Sequence, residues 1–61
     1  MHKILIIEDE DAIRRVLVKI IKNENNGYEV DEAANGFDGL ELIKASDFDL
    51  VLCDIKMPKM D

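Results

Sequence analysis

Acidic side chains end two short apolar runs of this chain, and they are the residues best suited to chemistry. Residues 4–7 are followed by Glu8 and Asp9, and residues 50–53 are followed by Asp54. An apolar run bounded by polar residues is typical of a fully buried strand, so each acid should lie where a strand leaves the core. If the two strands are parallel neighbours, the three carboxylates meet at one rim, where their mutual repulsion favours a bound cation.

Carboxylates grouped in this way are suited to phosphoryl transfer. A carboxylate oxygen can attack a phosphoryl group and form a mixed anhydride, and the transfer needs mainly alignment and neutralisation of negative charge. Mg²⁺ supplies both, because it prefers one or two carboxylates, a carbonyl, waters and phosphate oxygens as ligands. The alternative for Asp54 is a turn-initiating role, and for Glu8 and Asp9 it is the start of a helix.

An amphipathic helix is predicted after the first acid pair. A helix over residues 11–23 is indicated by a stripe of apolar residues at three- and four-residue spacing: Ile13, Val16, Leu17, Ile20 and Ile21. Charged residues occupy the face expected to meet solvent: Asp11, Arg14, Arg15, Lys19 and Lys22. Segment 23–27 then favours a turn, since its Asn and Gly residues tolerate left-handed backbone.

A second strand and a second helix are predicted before the strand that ends at Asp54. Residues 28–33 alternate at first and then carry acids, which suits a strand at a sheet edge. Asn35-Gly36 could close a hairpin, but the apolar spacing that follows favours a helix from Gly36 or Phe37 to Ala45. The third strand is predicted at residues 48–53.

The order β-α-β-α-β indicates an α/β fold with parallel strands joined by right-handed crossovers. A central second strand would bury Glu29, Asp31 and Glu32, so the strand order 2-1-3 is preferred. This order places one helix on each face and a ligand crevice at the carboxyl ends of the first and third strands. Glu8, Asp9 and Asp54 are the residues predicted to line that crevice.

Composition and charge exclude several classes of protein. A chain of 61 residues allows one small domain near the lower size for independent stability. The net charge of −6 argues against nucleic acid or an anionic membrane as a partner of this segment, and favours a metal ion or a basic partner. One Cys cannot form an internal disulfide, and the apolar run before Glu8 is too short for a signal peptide or membrane span. We therefore expect a cytoplasmic protein.

Beyond these physical patterns, the whole chain closely resembles the receiver domain of bacterial two-component response regulators. The most specific similarities are the acid pair after residues 3–7 and the run Asp-Ile-Lys-Met-Pro-Lys-Met-Asp at 54–61. Residues 33–36 and the pair Gly39-Leu40 are also similar to the family. The resemblance implies a flavodoxin-like doubly wound parallel sheet, truncated to β-α-β-α-β. Residues 1–61 would form the N-terminal half of a receiver domain, up to the start of the loop after the third strand.

The resemblance also implies a role for each residue of the crevice. Asp54 matches the phospho-accepting aspartate and helps to hold Mg²⁺, and Asp9 matches the acid that coordinates the metal directly. Glu8 matches the other member of the pair, engaged through metal-bound water, and Lys56 would contribute its backbone carbonyl to the metal. The implied donor is the phosphohistidine of a sensor histidine kinase. The chain would therefore be a signalling module and not an enzyme.

Two alternative functions follow from what this sequence lacks. Receiver domains carry a Ser or Thr after strand 4 and a Lys after strand 5, in a further half that these 61 residues do not include. The apolar third strand is then expected at an open edge that recruits a second copy or a C-terminal half. One alternative is thus a structural or engineered half-receiver that self-associates without signalling. The other, a metal-dependent phosphohydrolase, is disfavoured because Lys56 stands where a second catalytic acid is needed.

Overall fold

The computed structural model describes residues 2–24 and 27–54, which form a three-stranded sheet and two helices. In chain order the elements are β1 (Lys3–Glu8), α1 (Asp11–Glu24), β2 (Glu29–Ala33), α2 (Gly36–Ala45) and β3 (Leu50–Asp54). Both pairs of neighbouring strands are parallel, and their order is β2-β1-β3. The predicted α/β class, the truncated flavodoxin-like arrangement and the strand order 2-1-3 are confirmed.

The start of β3 differs from the predicted position because Asp49 takes part in the pairing with its side chain. Its backbone N–H donates to the carbonyl of Lys3 at 2.7 Å, and its Oδ2 accepts from the N–H of Lys3 at 2.7 Å. A carboxylate oxygen therefore replaces a main-chain acceptor at this point, and the regular strand begins at Leu50 and not at residue 48.

β1 is the central strand and supplies most of the core. Leu5 and Ile6 are fully buried, and successive side chains of a strand point to opposite faces of the sheet. Burial of each large aliphatic side chain contributes about 2 kcal/mol to folding. The cluster on the α1 face comprises Ile4, Ile6, Leu17, Val18, Ile21, Tyr28 and Val30. The cluster on the α2 face comprises Leu5, Ile7, Ala33, Leu42 and Phe48.

α2 lies close to β1 at Gly39, which is buried. A Cβ added to Gly39 would lie 2.8 Å from Cγ1 of Ile7 and would also overlap its Cδ1. The missing side chain therefore allows the helix to lie directly on β1.

α1 faces the sheet with a different stripe from the one predicted. Val18 is buried and Leu17 and Ile21 are half-buried, whereas Ile13, Val16 and Ile20 are exposed. The structure places residues 14, 17, 18 and 21 on the sheet side, a set with the spacing of one helical face. Arg14 thus lies on the face of α1 that meets the sheet. The prediction that placed it on the solvent face is wrong.

β3 is exposed along its whole length, so its expected position at an open edge is confirmed, whereas the fully buried strand indicated by its apolar residues alone is wrong. Leu50 is 50% exposed, and the other four residues of β3 are also exposed. β3 pairs with β1 through one edge, and within residues 2–24 and 27–54 neither helix packs on it. It is therefore an edge strand of the described sheet.

Neither α1 nor α2, the helices of the described residues, is long and apolar enough to span a bilayer.

Candidate functional site

The carboxyl ends of β1 and β3 bring the three predicted site acids to one edge of the sheet. The register of the two strands pairs Glu8 directly with Asp54. Paired residues on neighbouring strands lie about 4.8 Å apart, and their side chains point to the same face. Asp9 follows Glu8 in the bend that connects β1 to α1.

The three acids differ in their exposure to solvent. Asp9 and Asp54 are exposed, but Glu8 is only 3% exposed. Oε2 of Glu8 accepts a hydrogen bond from the backbone N–H of Glu10 at 3.0 Å, whereas Oε1 is buried and has no hydrogen-bond partner among the described residues. Asp9 and Asp54 can therefore meet an incoming group directly, whereas the buried Glu8 cannot.

The pKa of Glu8 reflects these surroundings. The hydrogen bond from the N–H of Glu10 lowers it, but burial and the neighbouring carboxyl groups of Asp9 and Asp54 outweigh this effect. The pKa of Glu8 is therefore raised above its usual value. A group in this position benefits from any nearby positive charge.

The residues of this edge fit a hydrated Mg²⁺ ion. Within residues 2–24 and 27–54, no donor reaches the buried Oε1 of Glu8, which lies beside two exposed carboxylates. The waters and the charge of such an ion can satisfy this oxygen. Within the described ranges, no three His, Cys, Asp or Glu side chains converge on a single metal position. A set of one or two carboxylates completed by waters and a carbonyl is still the set that Mg²⁺ prefers. Lys56, the predicted carbonyl ligand, lies outside the described residues.

Arg14 is the residue at this edge that the sequence pattern did not identify. Its side chain is 14% exposed and donates hydrogen bonds in three directions. Nη1 donates to the carbonyl oxygen of Glu8 at 2.8 Å, Nε to Oε1 of Glu32 at 3.0 Å, and Nη2 to Oδ1 of Asp11 at 2.6 Å. The bonds to Asp11 and Glu32 raise the pKa of Arg14 above its usual value. In the sequence, the helical spacing of residues 14, 17, 18 and 21 was the available signal that Arg14 lies on the same face as the apolar residues that meet the sheet.

Comparison with known proteins identifies the family. The protein-family model of the response regulator receiver domain matches residues 4–61, so the chain belongs to the response regulator receiver domain family. The resemblance predicted from the acid pair and the Asp54 run is thus confirmed. Phosphorelay signalling in two-component systems, in which receiver domains interact with histidine kinases, is the general function of this family.

Similar full-length proteins are known in Staphylococcus aureus. Transcriptional regulatory protein SrrA of strains NCTC 8325 / PS 47, COL and N315 is 38% identical to the chain over 60 residues. Each alignment covers 98% of this chain and 24% of the relative, so the chain spans about a quarter of their length. No solved structure gives a significant match.

Proposed function

We propose that Asp54 accepts a phosphoryl group from the phosphohistidine of a sensor histidine kinase, with Mg²⁺ held by Asp9 and Asp54. Glu8 would act through metal-bound water, and the backbone carbonyl of Lys56 would complete the protein ligands. The observation that carries the proposal is the direct pairing of Glu8 with Asp54 at the carboxyl ends of β1 and β3. The proposal is also supported by the buried Oε1 of Glu8, which has no hydrogen-bond partner in the described part of the chain.

Asp54 is the nucleophile in the proposed transfer. One of its carboxylate oxygens forms a bond to phosphorus while the bond from phosphorus to the imidazole nitrogen breaks. The electron pair of the broken bond returns to that nitrogen. Asp54 is exposed and can reach a donor, whereas Glu8 is buried and cannot. Mg²⁺ held by Asp9 and Asp54 would supply neutralisation of the charge that spreads over the phosphoryl oxygens.

The product of this step is an acyl phosphate on the chain itself, so we propose a phospho-accepting module and not an enzyme. A phosphohydrolase would need a second acid close after Asp54, and Lys56 occupies the position two residues on. The net charge of −6 also disfavours nucleic acid or an anionic membrane as a partner of this segment. We further propose a cytoplasmic location and residues 1–61 as the N-terminal half of the receiver domain.

Intact mass spectrometry tests the proposal. The chain is incubated with acetyl phosphate, with and without Mg²⁺, and the mass of one added phosphoryl group is measured. We expect the addition only with Mg²⁺, and its loss in Asp54→Asn. Asp47→Asn, which changes an exposed loop acid before β3, is the matched control and should be phosphorylated normally. Normal phosphorylation of Asp54→Asn would refute the assignment of Asp54.

A half-receiver that self-associates through β3 without signalling is the second candidate function. The exposure of all five β3 residues favours it, because an apolar edge strand can pair with another chain. This candidate predicts that the same mass measurement shows no phosphoryl addition, with or without Mg²⁺.

A further inference from the structure

The guanidinium of Arg14 joins three elements at the edge that carries the acids. It donates to the main chain at the end of β1, to Glu32 of β2 and to Asp11 in the first turn of α1. A planar guanidinium presents its donors in a fixed fork, so three bonds in three directions restrict the groups they reach. Arg14 therefore ties the carboxyl ends of β1 and β2 to the start of α1.

The hydrogen bond from Arg14 to the carbonyl of Glu8 restrains the backbone next to Asp9. Its acceptor is the carbonyl oxygen of Glu8, which belongs to the planar peptide that joins Glu8 to Asp9. On the other side of Asp9, the N–H of Glu10 is held by Oε2 of Glu8. The peptides before and after Asp9 are thus both anchored. This anchored backbone fixes the direction in which the Cα–Cβ bond of the exposed Asp9 leaves the chain.

The charge of Arg14 is directed away from the acids proposed to hold the metal. Two of its three bonds are ion pairs with Asp11 and Glu32, at 2.6 and 3.0 Å. Its contact with the Glu8–Asp9 segment is to a neutral carbonyl. An effect of Arg14 on the acid site would therefore be geometric, since its charge is already compensated by two carboxylates.

We infer that Arg14 is a positioning residue, which holds the Glu8–Asp9 peptide so that Asp9 is presented for binding a divalent cation. This inference rests on the proposed Mg²⁺-dependent function of the same site. A group that orients a ligand in this way commonly changes metal affinity by about 10- to 100-fold when it is removed.

Calorimetric titration of the chain with Mg²⁺ tests the inference. We expect Arg14→Ala to bind Mg²⁺ about 10-fold more weakly than the unmodified chain. Arg15→Ala is the matched control, because Arg15 is the next residue, carries the same charge and is exposed. Its affinity should equal that of the unmodified chain. Arg14→Lys retains the charge without the fork, and its affinity should fall almost as far as that of Arg14→Ala.

The direction of the change separates positioning from electrostatics. If Arg14 acted through its charge, its removal would reduce repulsion of the cation and Arg14→Ala would bind Mg²⁺ more tightly. If it only stabilised the fold, the melting temperature would fall while the Mg²⁺ affinity of the folded chain stayed constant. Either result would overturn the inference.

Amide hydrogen exchange without Mg²⁺ provides a readout that does not depend on the metal. Exchange at Asp9 and Glu10 should become faster in Arg14→Lys and Arg14→Ala relative to amides of the β1 core, and should be unchanged in Arg15→Ala. If the unmodified chain bound no Mg²⁺, the proposed function would fail, and this comparison would still decide the positioning role. Equal exchange in all variants would contradict it.

Discussion

Glu8 combines burial with two neighbouring carboxyl groups, and the consequence is a dependence of stability on pH. Its pKa is raised in the folded chain. As pH rises, the unfolded state therefore releases the proton of Glu8 before the folded state does. Between the unfolded and folded pKa values, the free energy of unfolding therefore decreases with rising pH. The destabilisation is absent below the unfolded pKa and fully present above the folded one.

Glu8→Gln removes this destabilisation while retaining the size of the side chain. Without Mg²⁺, we expect the variant to melt at a higher temperature than the unmodified chain at pH 7. The difference should shrink as pH falls toward the unfolded pKa of the carboxyl group. Thermal unfolding followed by circular dichroism measures both effects. Glu41→Gln, at an exposed position of α2, is the control and should show neither. A lower melting temperature for Glu8→Gln at pH 7 would contradict the assigned cause.

At the scale of elements, the position of α2 depends on the absence of a side chain at Gly39. In Gly39→Ala the new Cβ would meet Cγ1 of Ile7, which is 2.8 Å away and close to the β1 backbone. Alanine gains about 1 kcal/mol in helix propensity, but overpacking costs about 1–3 kcal/mol. We expect net destabilisation, measured by urea unfolding. Ile7→Val removes the Cδ1 overlap, so the double variant should recover part of the loss. Stabilisation of Gly39→Ala by the full propensity gain would show that the contact is not tight.

The order of the elements could be predicted from the sequence, but the rotation of α1 about its axis could not. Apolar residues fill two overlapping stripes of this helix, and periodicity alone does not decide which of them meets the sheet. In the structure, Leu17, Val18 and Ile21 pack against the sheet, and this rotation of α1 also places Arg14 on the sheet side. Apolar composition also does not show that β1 is buried and β3 exposed, because the burial of a strand depends on what packs against it.

The position of the acid site could be predicted more fully than the packing of the helices. Neighbouring parallel strands that end in acids bring these acids to one edge, whatever covers the faces of the sheet. The pairing of Glu8 with Asp54 follows from the strand order 2-1-3. The burial of Glu8 beside its two exposed neighbours required the structure, as did the anchoring of its carbonyl by Arg14.

At the scale of the whole molecule, the described sheet is covered unevenly. β1 is buried between α1 and α2, whereas Leu50, Val51 and Leu52 of β3 are exposed. Apolar residues on an edge strand favour pairing with a second chain. We therefore expect the 61-residue chain to self-associate as its concentration rises.

Light scattering over a dilution series measures this association. Leu52→Lys places a charge on β3 and should shift the chain toward monomer. Phe37→Lys removes an exposed apolar side chain from α2, away from β3, and should leave the association unchanged. Cys53→Ser in every sample removes the exposed thiol and so excludes disulfide-linked dimers. A monomer at every concentration, or an equal effect of both Lys variants, would contradict association through β3.

The position of the phosphoryl group on the chain decides whether Asp54 is the acceptor. After incubation with acetyl phosphate and Mg²⁺, borohydride reduces an aspartyl phosphate to homoserine, which tandem mass spectrometry can locate in the sequence. The pairing of Glu8 with Asp54 and the exposure of Asp54 predict homoserine at position 54, and only when Mg²⁺ is present. Homoserine at Asp9 in place of Asp54 would contradict the assignment of Asp54 as the acceptor, and equal labelling of Asp54 without Mg²⁺ would contradict the role of the metal.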